Sequence, residues 1–429
     1  MKLPNFFLTA WLLLWSIAAA GNPLDLEHAV AQAIAGDPWL RGSEYRQSAL
    51  LDEAEAAASL PNPRLTISAA NLPADGFDFG QEAMTQGVVG LSQLFPRGDS
   101  RALNRQRKQQ MAKQQPLLRA DRKAQVTATV TQLWLDVWRA QESIRLIEGD
   151  RALFEQLVEA AQAGYASAVG AVRQQDVIRA QLELTRLDDR LTQLRQQEEA
   201  AQRRLAEWLG EAAIAPVATD LPDVSLPVEQ ESGQWRKRLA GHPAIRAVDR
   251  QIEAVATDVA IAEQGYKPEW GINAQYGYRD EDPAGNDRAD LFSLGVSVDL
   301  PLFGRGRQDR QVSAAQSRTE AARTERALLL RRLAAEMERA RAELARLDQR
   351  EKLFRSQLLP QMNEQAEAAL SAYHNDTGDF AEAVRARIAE LNAKIESLTI
   401  AVDRRKTLAT LNYLLVPSPS EADGTNASP

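Results

Sequence analysis

The sequence predicts a mainly α-helical chain that contributes four β-strands to a membrane β-barrel shared with other copies of itself. Three observations carry that fold class. Between Trp270 and Leu300 two runs alternate strictly, with Trp270, Ile272, Ala274, Tyr276 and Tyr278 on one face and Gly271, Asn273, Gln275, Gly277 and Arg279 opposite. The second run repeats the pattern, with Phe292, Leu294, Val296, Val298 and Leu300 against Ser293, Gly295, Ser297 and Asp299. A period of two with apolar residues on one side and small polar ones on the other suits a strand between lipid and water, and equally a half-buried soluble sheet. The second observation is a set of heptad seams too long for a compact domain. The third is that the whole plan occurs twice, at an offset of about 205 residues.

In chain order, Met1-Lys2 precedes an apolar run from Phe6 to Ala20 that ends in Ala18-Ala19-Ala20. The run is short for a membrane span and ends on small residues, so residues 1–20 are expected to be a cleaved secretory signal. The first repeat then covers 21–213. Leu26 to Leu60 is alanine-rich and helical, with a break at Gly36-Asp37-Pro38 where proline starts a new helix. Leu65, Ile67 and Ala69 alternate with polar neighbours, and Gln86 to Phe95 follows a glycine-rich loop, so 64–95 is expected to be a strand pair weaker than the later one.

From Ser100 the period changes. Val126, Val130, Leu133, Val137, Ala140, Ile144, Ile147, Phe154, Val158, Ala161 and Tyr165 advance by alternating fours and threes, with Arg151 in one apolar slot. Gly164 and Gly170 mark a turn. A return helix carries Val177, Leu184, Leu187, Leu191, Leu194, Ala201, Leu205 and Trp208, so 100–209 is a helical hairpin with an arm of roughly 100 Å at 1.5 Å per residue. Residues 214–230 read as a linker. The second repeat, 231–415, opens on Leu239-Ala240-Gly241-His242-Pro243, matching Ile34-Ala35-Gly36-Asp37-Pro38. It continues with the strand pair 268–302 and a helical hairpin over 306–415. That hairpin has one seam from Leu330 to Leu358, a turn from Tyr373 to Gly378, and a second seam from Val384 to Val402. Residues 416–429 form a polar tail expected to be disordered.

The composition excludes several functions. There is no cysteine and there are three scattered histidines, so neither a disulfide framework nor a thiolate metal site is available. A net charge of -8 argues against nucleic acid as a partner. Gly304-Arg305-Gly306 lacks the lysine of a phosphate loop, no nucleophile has a nearby histidine, and the acidic pairs Asp188-Asp189 and Glu198-Glu199 read as solvated helix faces. No catalytic residue, metal ligand or cofactor site is expected.

Four strands cannot close a barrel, since even eight barely enclose packed side chains. Three copies would supply twelve strands, and cyclic symmetry closes them. The duplicated plan carries a resemblance here. So do the strand exits Leu94-Phe95-Pro96-Arg97-Gly98 and Leu302-Phe303-Gly304-Arg305-Gly306, and Gly170 followed by Asp176-Val177-Ile178-Arg179-Ala180-Gln181. Together they resemble the TolC family of outer-membrane efflux proteins over essentially the whole mature chain. Leu60-Pro61-Asn62-Pro63 and Leu91-Ser92-Gln93-Leu94-Phe95 resemble in particular the CzcC-type branch that serves heavy-metal pumps.

The resemblance implies a homotrimer in the outer membrane of a Gram-negative bacterium, with a shared 12-stranded barrel in lipid and a coiled-coil helical barrel in the periplasm. It implies a passive exit duct that docks on a periplasmic adaptor (a membrane fusion protein) and an inner-membrane pump of the RND type. It also implies a constriction at the helix tips, onto which Asp176 and Tyr373 are carried. Val384 departs from the pattern, standing where the repeat would place an aspartate, and Asp376 and Asp379 are candidates to supply the acidic ring instead. Tyr165, Ala168, Gly170 and Gly378 are placed at the tip facing the adaptor, and Trp270, Tyr276 and Tyr278 in an interfacial aromatic girdle. Each assignment has a plainer reading beside it: aspartates cap helices, tyrosines end packing seams, and aromatic residues fill ordinary sheets. Competing functions are a periplasmic coiled-coil scaffold or adaptor without a pore and, within the class, a duct for drugs or for type I protein secretion.

Overall fold

The computed structural model describes residues 23–166, 173–226, 235–302, 305–375 and 377–417. The expected signal at 1–20, the end of the tail, and the tip residues Ala168, Gly170 and Asp376 lie outside the described residues. Helices α1 (Leu26–Gly36) and α2 (Pro38–Ala58) lead into strands β1 (Arg64–Ala70) and β2 (Gln86–Phe95), followed by helices α3 (Ser100–Ala166) and α4 (Gln174–Leu209). The second repeat supplies α5 (Trp235–Ala240), α6 (Pro243–Glu263), β3 (Glu269–Tyr278), β4 (Leu291–Asp299), α7 (Arg305–Leu353), α8 (Leu359–His374) and α9 (Phe380–Leu414). No described helix is long and apolar enough to cross a membrane.

The chain forms two compact units, each drawing on both repeats. One contains the chain up to Gly36, Val130–Asp223 and Lys352–Val402; the other contains Asp37–Thr129, Val224–Glu351 and the chain from Asp403. In the first unit the predicted seams meet. Ile144, Ile147, Phe154, Val158 and Ala161 of α3 pack with Leu187 and Leu191 of α4 and with Phe380, Val384 and Leu391 of α9. α3 is buried on more than its seam: the Trp134 indole N–H donates to the Leu24 carbonyl at 2.9 Å and that of Trp138 to the Thr219 carbonyl at 3.0 Å. The proline-rich stretch after α4 is therefore anchored on α3, and Leu24 bridges Val217 in parallel.

A buried charge network also crosses this unit. Glu390, 3% exposed, binds Arg387 at 2.6 Å and Lys394 at 2.9 Å. Burial pushes its carboxyl up, but the hydrogen bonds and charges of Lys394 and Arg387 outweigh that and hold it below the ordinary range.

Between α7 and α8 the helical ladder widens into a π-turn over Phe354–Leu358, where the Leu359 N–H reaches back to the Phe354 carbonyl. Pro360 explains it: proline donates no hydrogen bond, and its ring would collide with the carbonyl four residues earlier. The apolar seam reaches Leu358, inside this turn, so the sequence reads as a continuous helix up to it.

In the second unit the repeat is visible at the level of caps. Asp37 caps α2 by accepting from the Trp39 N–H at 2.9 Å, and it pairs with Arg122 at 2.8 Å. His242 holds the equivalent place at α6, its Nδ1 accepting from the Ala244 N–H at 3.2 Å and its Nε2–H donating to the Tyr413 carbonyl at 3.0 Å. The ring is fully buried. Burial depresses its pKa, opposed by the hydrogen bond to the Tyr413 carbonyl and by the charge of Asp121.

Because the folded pKa lies below the unfolded one, the stability contributed by neutral His242 is complete above about pH 6.5 and is lost as pH falls from there towards the folded value. Protonation would also remove the cap acceptor. Wild type is expected to lose up to about 1.4 kcal/mol more than His242→Asn per pH unit below 6.5, read from urea midpoints at pH 7.5 and 5.5. Equal losses would exclude the imidazole as the titrating group.

Candidate functional site

The strands form one four-stranded antiparallel sheet in the order β1-β2-β3-β4. The two strand pairs expected from the sequence are thus joined, with β2 paired to β3 from Gly87↔Tyr278 to Phe95↔Trp270. The register aligns the faces of all four strands. On one side lie Leu65 and Ile67 of β1, Val89 and Leu91 of β2, Trp270, Ile272, Tyr276 and Tyr278 of β3, and Phe292, Leu294, Val296 and Val298 of β4. Every one of them is exposed, Ile67 by 75% and Leu294 by 70%. The other side is mostly small or polar, with Thr66, Ser68, Gly90, Ser92, Gly271, Asn273, Gln275, Ser293, Gly295 and Ser297, and is interrupted by Val88, Leu94 and Leu291.

Glycine leaves room there for the neighbouring polar side chains, which would have to turn aside for a larger residue. A Cβ on Gly271 would lie 2.5 Å from the Ser297 hydroxyl, and one on Gly295 would lie 2.8 Å from the Asn273 amide oxygen. A contiguous apolar face this large is exceptional on a protein surrounded by water, and the free edges of β1 and β4 are open to further strands.

The girdle candidates Trp270, Tyr276 and Tyr278 share this apolar face. The Tyr276 hydroxyl donates to the Asp290 carboxylate in the following loop. Two arginines tie the strand-connecting loops together. Arg279 donates to the Ala289 carbonyl at 2.8 Å and to the Ala83 carbonyl at 3.4 Å, and Arg288 donates to the Glu82 carbonyl at 3.1 Å.

The tip candidates belong to the first unit. Asp176 stands in the first turn of α4, 5% exposed, and its Oδ2 accepts from the Arg173 N–H at 3.0 Å. Asp379 precedes α9 and accepts from the Ala381 N–H at 3.2 Å. Both aspartates therefore satisfy backbone donors that a helix start leaves open. Tyr373 stacks edge-on against Phe380 with ring centroids 5.3 Å apart, and Tyr165 is half exposed at the end of α3. Gly378 closes the turn: a Cβ there would come within 2.8 Å of the Ala372 Cβ and 3.0 Å of the Tyr373 nitrogen. Phe380 was not among the expected tip residues; its signal is the apolar residue directly after the capping Asp379, facing a tyrosine across a six-residue turn.

Several solved structures with this architecture are outer-membrane proteins. The CmeC channel of Campylobacter jejuni superposes with a TM-score of 0.76 at 13% identity, covering 93% of this chain and 88% of that one. The outer-membrane protein VceC of Vibrio cholerae gives 0.74 at 16%, covering 91% and 96%, and the open-state MtrE channel of Neisseria gonorrhoeae gives 0.70 at 17%, covering 91% and 88%. The chain has the TolC fold. No family model and no curated protein matches the sequence, so the likeness to TolC-type channels lives in the structure. The mainly helical chain, with its strand pairs, four-stranded sheet and long helical hairpins, follows the TolC plan.

Proposed function

We propose that three copies of this chain assemble in the outer membrane of a Gram-negative bacterium as the passive exit duct of a tripartite efflux system. The observation that carries this reading is the sheet, in which one face is apolar and exposed on all four strands while the other is mostly small and polar. Lipid on the first face and water on the second satisfy both, and the free edges of β1 and β4 suit closure with neighbouring copies. The TolC fold supports the same assembly, with the long helices in the periplasm. A periplasmic adaptor and an inner-membrane pump of the RND type supply selection and energy, and the duct performs no catalysis. The heavy-metal branch rests on Leu60-Pro61-Asn62-Pro63 and Leu91 to Phe95 alone.

Purified in detergent, the protein is expected to have the mass of a trimer and to conduct ions in a planar bilayer. A monomer that stays in aqueous solution without detergent would favour the periplasmic scaffold instead. Deletion of the gene is expected to sensitise the cell to divalent heavy metals; sensitivity to drugs alone would place the duct in another branch.

The gate is proposed at Asp176, Tyr373, Asp376 and Asp379, with Tyr165, Ala168, Gly170 and Gly378 at the adaptor contact. Asp176→Ala removes the side chain that binds the Arg173 N–H and is expected to cost about 0.5–2 kcal/mol. Asp176→Asn keeps a cap acceptor and removes the charge. It is expected to leave the unfolding midpoint nearly unchanged while lowering cation selectivity in the bilayer. Unchanged selectivity in Asp176→Asn would confine Asp176 to its capping role.

A further inference from the structure

We propose that a cleft between helices α3, α4 and α9 binds a small organic anion with an apolar body, of the aromatic carboxylate or sulfonate class. The cleft encloses about 500 Å³, within the range of small-molecule sites, and all its lining residues belong to one unit. Its origin is local. Ala140 and Ser143 of α3 and Ala200 and Ala201 of α4 place small side chains where the helices would otherwise interlock, and Leu194 and Ile395 supply an apolar wall.

The charge around this space is unbalanced. Arg139, Arg190 and Arg204 line it against the single carboxylate of Asp136. Arg139 pairs with Asp136 at 2.9 Å. Arg190 donates to the neutral amide oxygen of Asn392, and among the described residues neither it nor Arg204 makes an ion pair. Other arginines in the same unit find carboxylates, Arg151 with Glu155, Arg186 with Glu183 and Arg195 with Glu148, whereas Arg179 and Arg203, like Arg204, are exposed to solvent. In a chain of net charge -8, two guanidinium groups left without a counter-charge beside a cavity form a local positive field. Burial also pushes the Arg190 pKa below its ordinary value, as expected for a partly desolvated charge without a counter-charge. A guanidinium presents a planar fork of donors that fits a carboxylate or sulfonate through two parallel hydrogen bonds. The alanines, Leu194 and Ile395 then cover the apolar part of the ligand, and Ser143, Gln193, Gln197 and Thr399 line the rest of the wall. This site is independent of the duct reading.

The test uses the full-length protein in detergent, with naphthoate as probe and neutral naphthamide as its uncharged match, followed by isothermal titration calorimetry. Naphthoate is expected to bind saturably, with naphthamide at least about tenfold weaker, because the charged hydrogen bonds are lost. Arg190→Gln with Arg204→Gln should weaken naphthoate at least about tenfold, and Ala200→Trp, which fills the cleft, should abolish binding while both variants keep the wild-type helical circular dichroism. Equal binding of acid and amide, or undiminished binding in these variants, would overturn the proposal. So would the absence of naphthoate binding together with loss of the trimer in the Arg190→Gln variant, which would assign the guanidinium to a carboxylate of a neighbouring copy.

Discussion

Trp134→Ala is expected to lower stability by about 3–5 kcal/mol, the cost of emptying a fully enclosed aromatic site. Trp134 is 0% exposed in the middle of α3, beside the equally buried Leu135 and Val137. Its indole N–H donates to the Leu24 carbonyl, which also accepts from the Ala218 N–H at 3.1 Å, while the Leu24 N–H donates to the Pro216 carbonyl at 2.9 Å. The ring is thus the platform on which the residues before α1 and the proline-rich stretch after α4 are held. Truncation opens a cavity, yet it leaves the Leu24 carbonyl one donor, so the loss comes mainly from volume. Trp134→Phe separates the terms: it keeps much of the apolar volume, drops the indole hydrogen bond, and is expected to cost nearer 1–2 kcal/mol. The check is the urea midpoint followed by circular dichroism, together with protease cleavage between residues 210 and 226. Those cleavages should appear in the alanine variant well before global unfolding. An alanine variant no less stable than the phenylalanine variant would show that the site collapses around the missing ring.

The two kinds of periodicity in the sequence differed in what they could convey. A heptad seam names a buried stripe, and the α3 seam from Val126 through Ala161 is buried apart from the partly covered Leu133 and the charged slot at Arg151. It cannot name a second neighbour. Trp134, Leu135 and Trp138 lie off the seam and are buried all the same, because α3 also carries the segments around Leu24 and Thr219, and Leu157 is buried off the seam in the cluster with α4 and α9. A period of two names the faces of a strand and leaves the order of strands open. The strands and their faces were therefore legible, whereas the pairing of β2 with β3, about 180 residues apart in sequence, depends on register between distant segments.

At the tips the capping geometry of Asp176 and Asp379 follows from aspartate at a helix start and was among the readings. The contact of Tyr373 with Phe380 depends on the tightness of the turn at Gly378 and left no periodic trace. The cleft was invisible for a similar reason. Ala140 and Ala201 occupy seam positions, where alanine reads as packing, and only the neighbouring helices decide whether the space is filled.

The most severe expected effect on assembly is that of Leu294→Arg. Leu294 lies in the middle of β4, paired with Ala274 and flanked on its face by Phe292 and Val296, all three of the β4 residues largely exposed in the single chain. If that face meets lipid, a guanidinium there costs about 2–4 kcal/mol per chain near the bilayer centre, and three copies bear the cost at once. Ser293→Arg moves the same side chain one residue along the strand, to the face shared with Gln275, where water can solvate it. The pair thus holds strand, charge and volume constant while changing only the side of the sheet. Leu294→Arg is expected to deplete the trimer from the outer-membrane fraction and leave chain that alkaline washing releases. Ser293→Arg should assemble normally and alter only conductance. The readouts are trimer yield after membrane fractionation and single-channel current. Normal assembly of Leu294→Arg would mean that the apolar face is turned away from lipid. Failure of both variants alike would show intolerance of a long side chain on either face. The lipid-facing reading survives only if the two variants diverge, because neighbouring strand residues point to opposite faces and only one face would meet lipid.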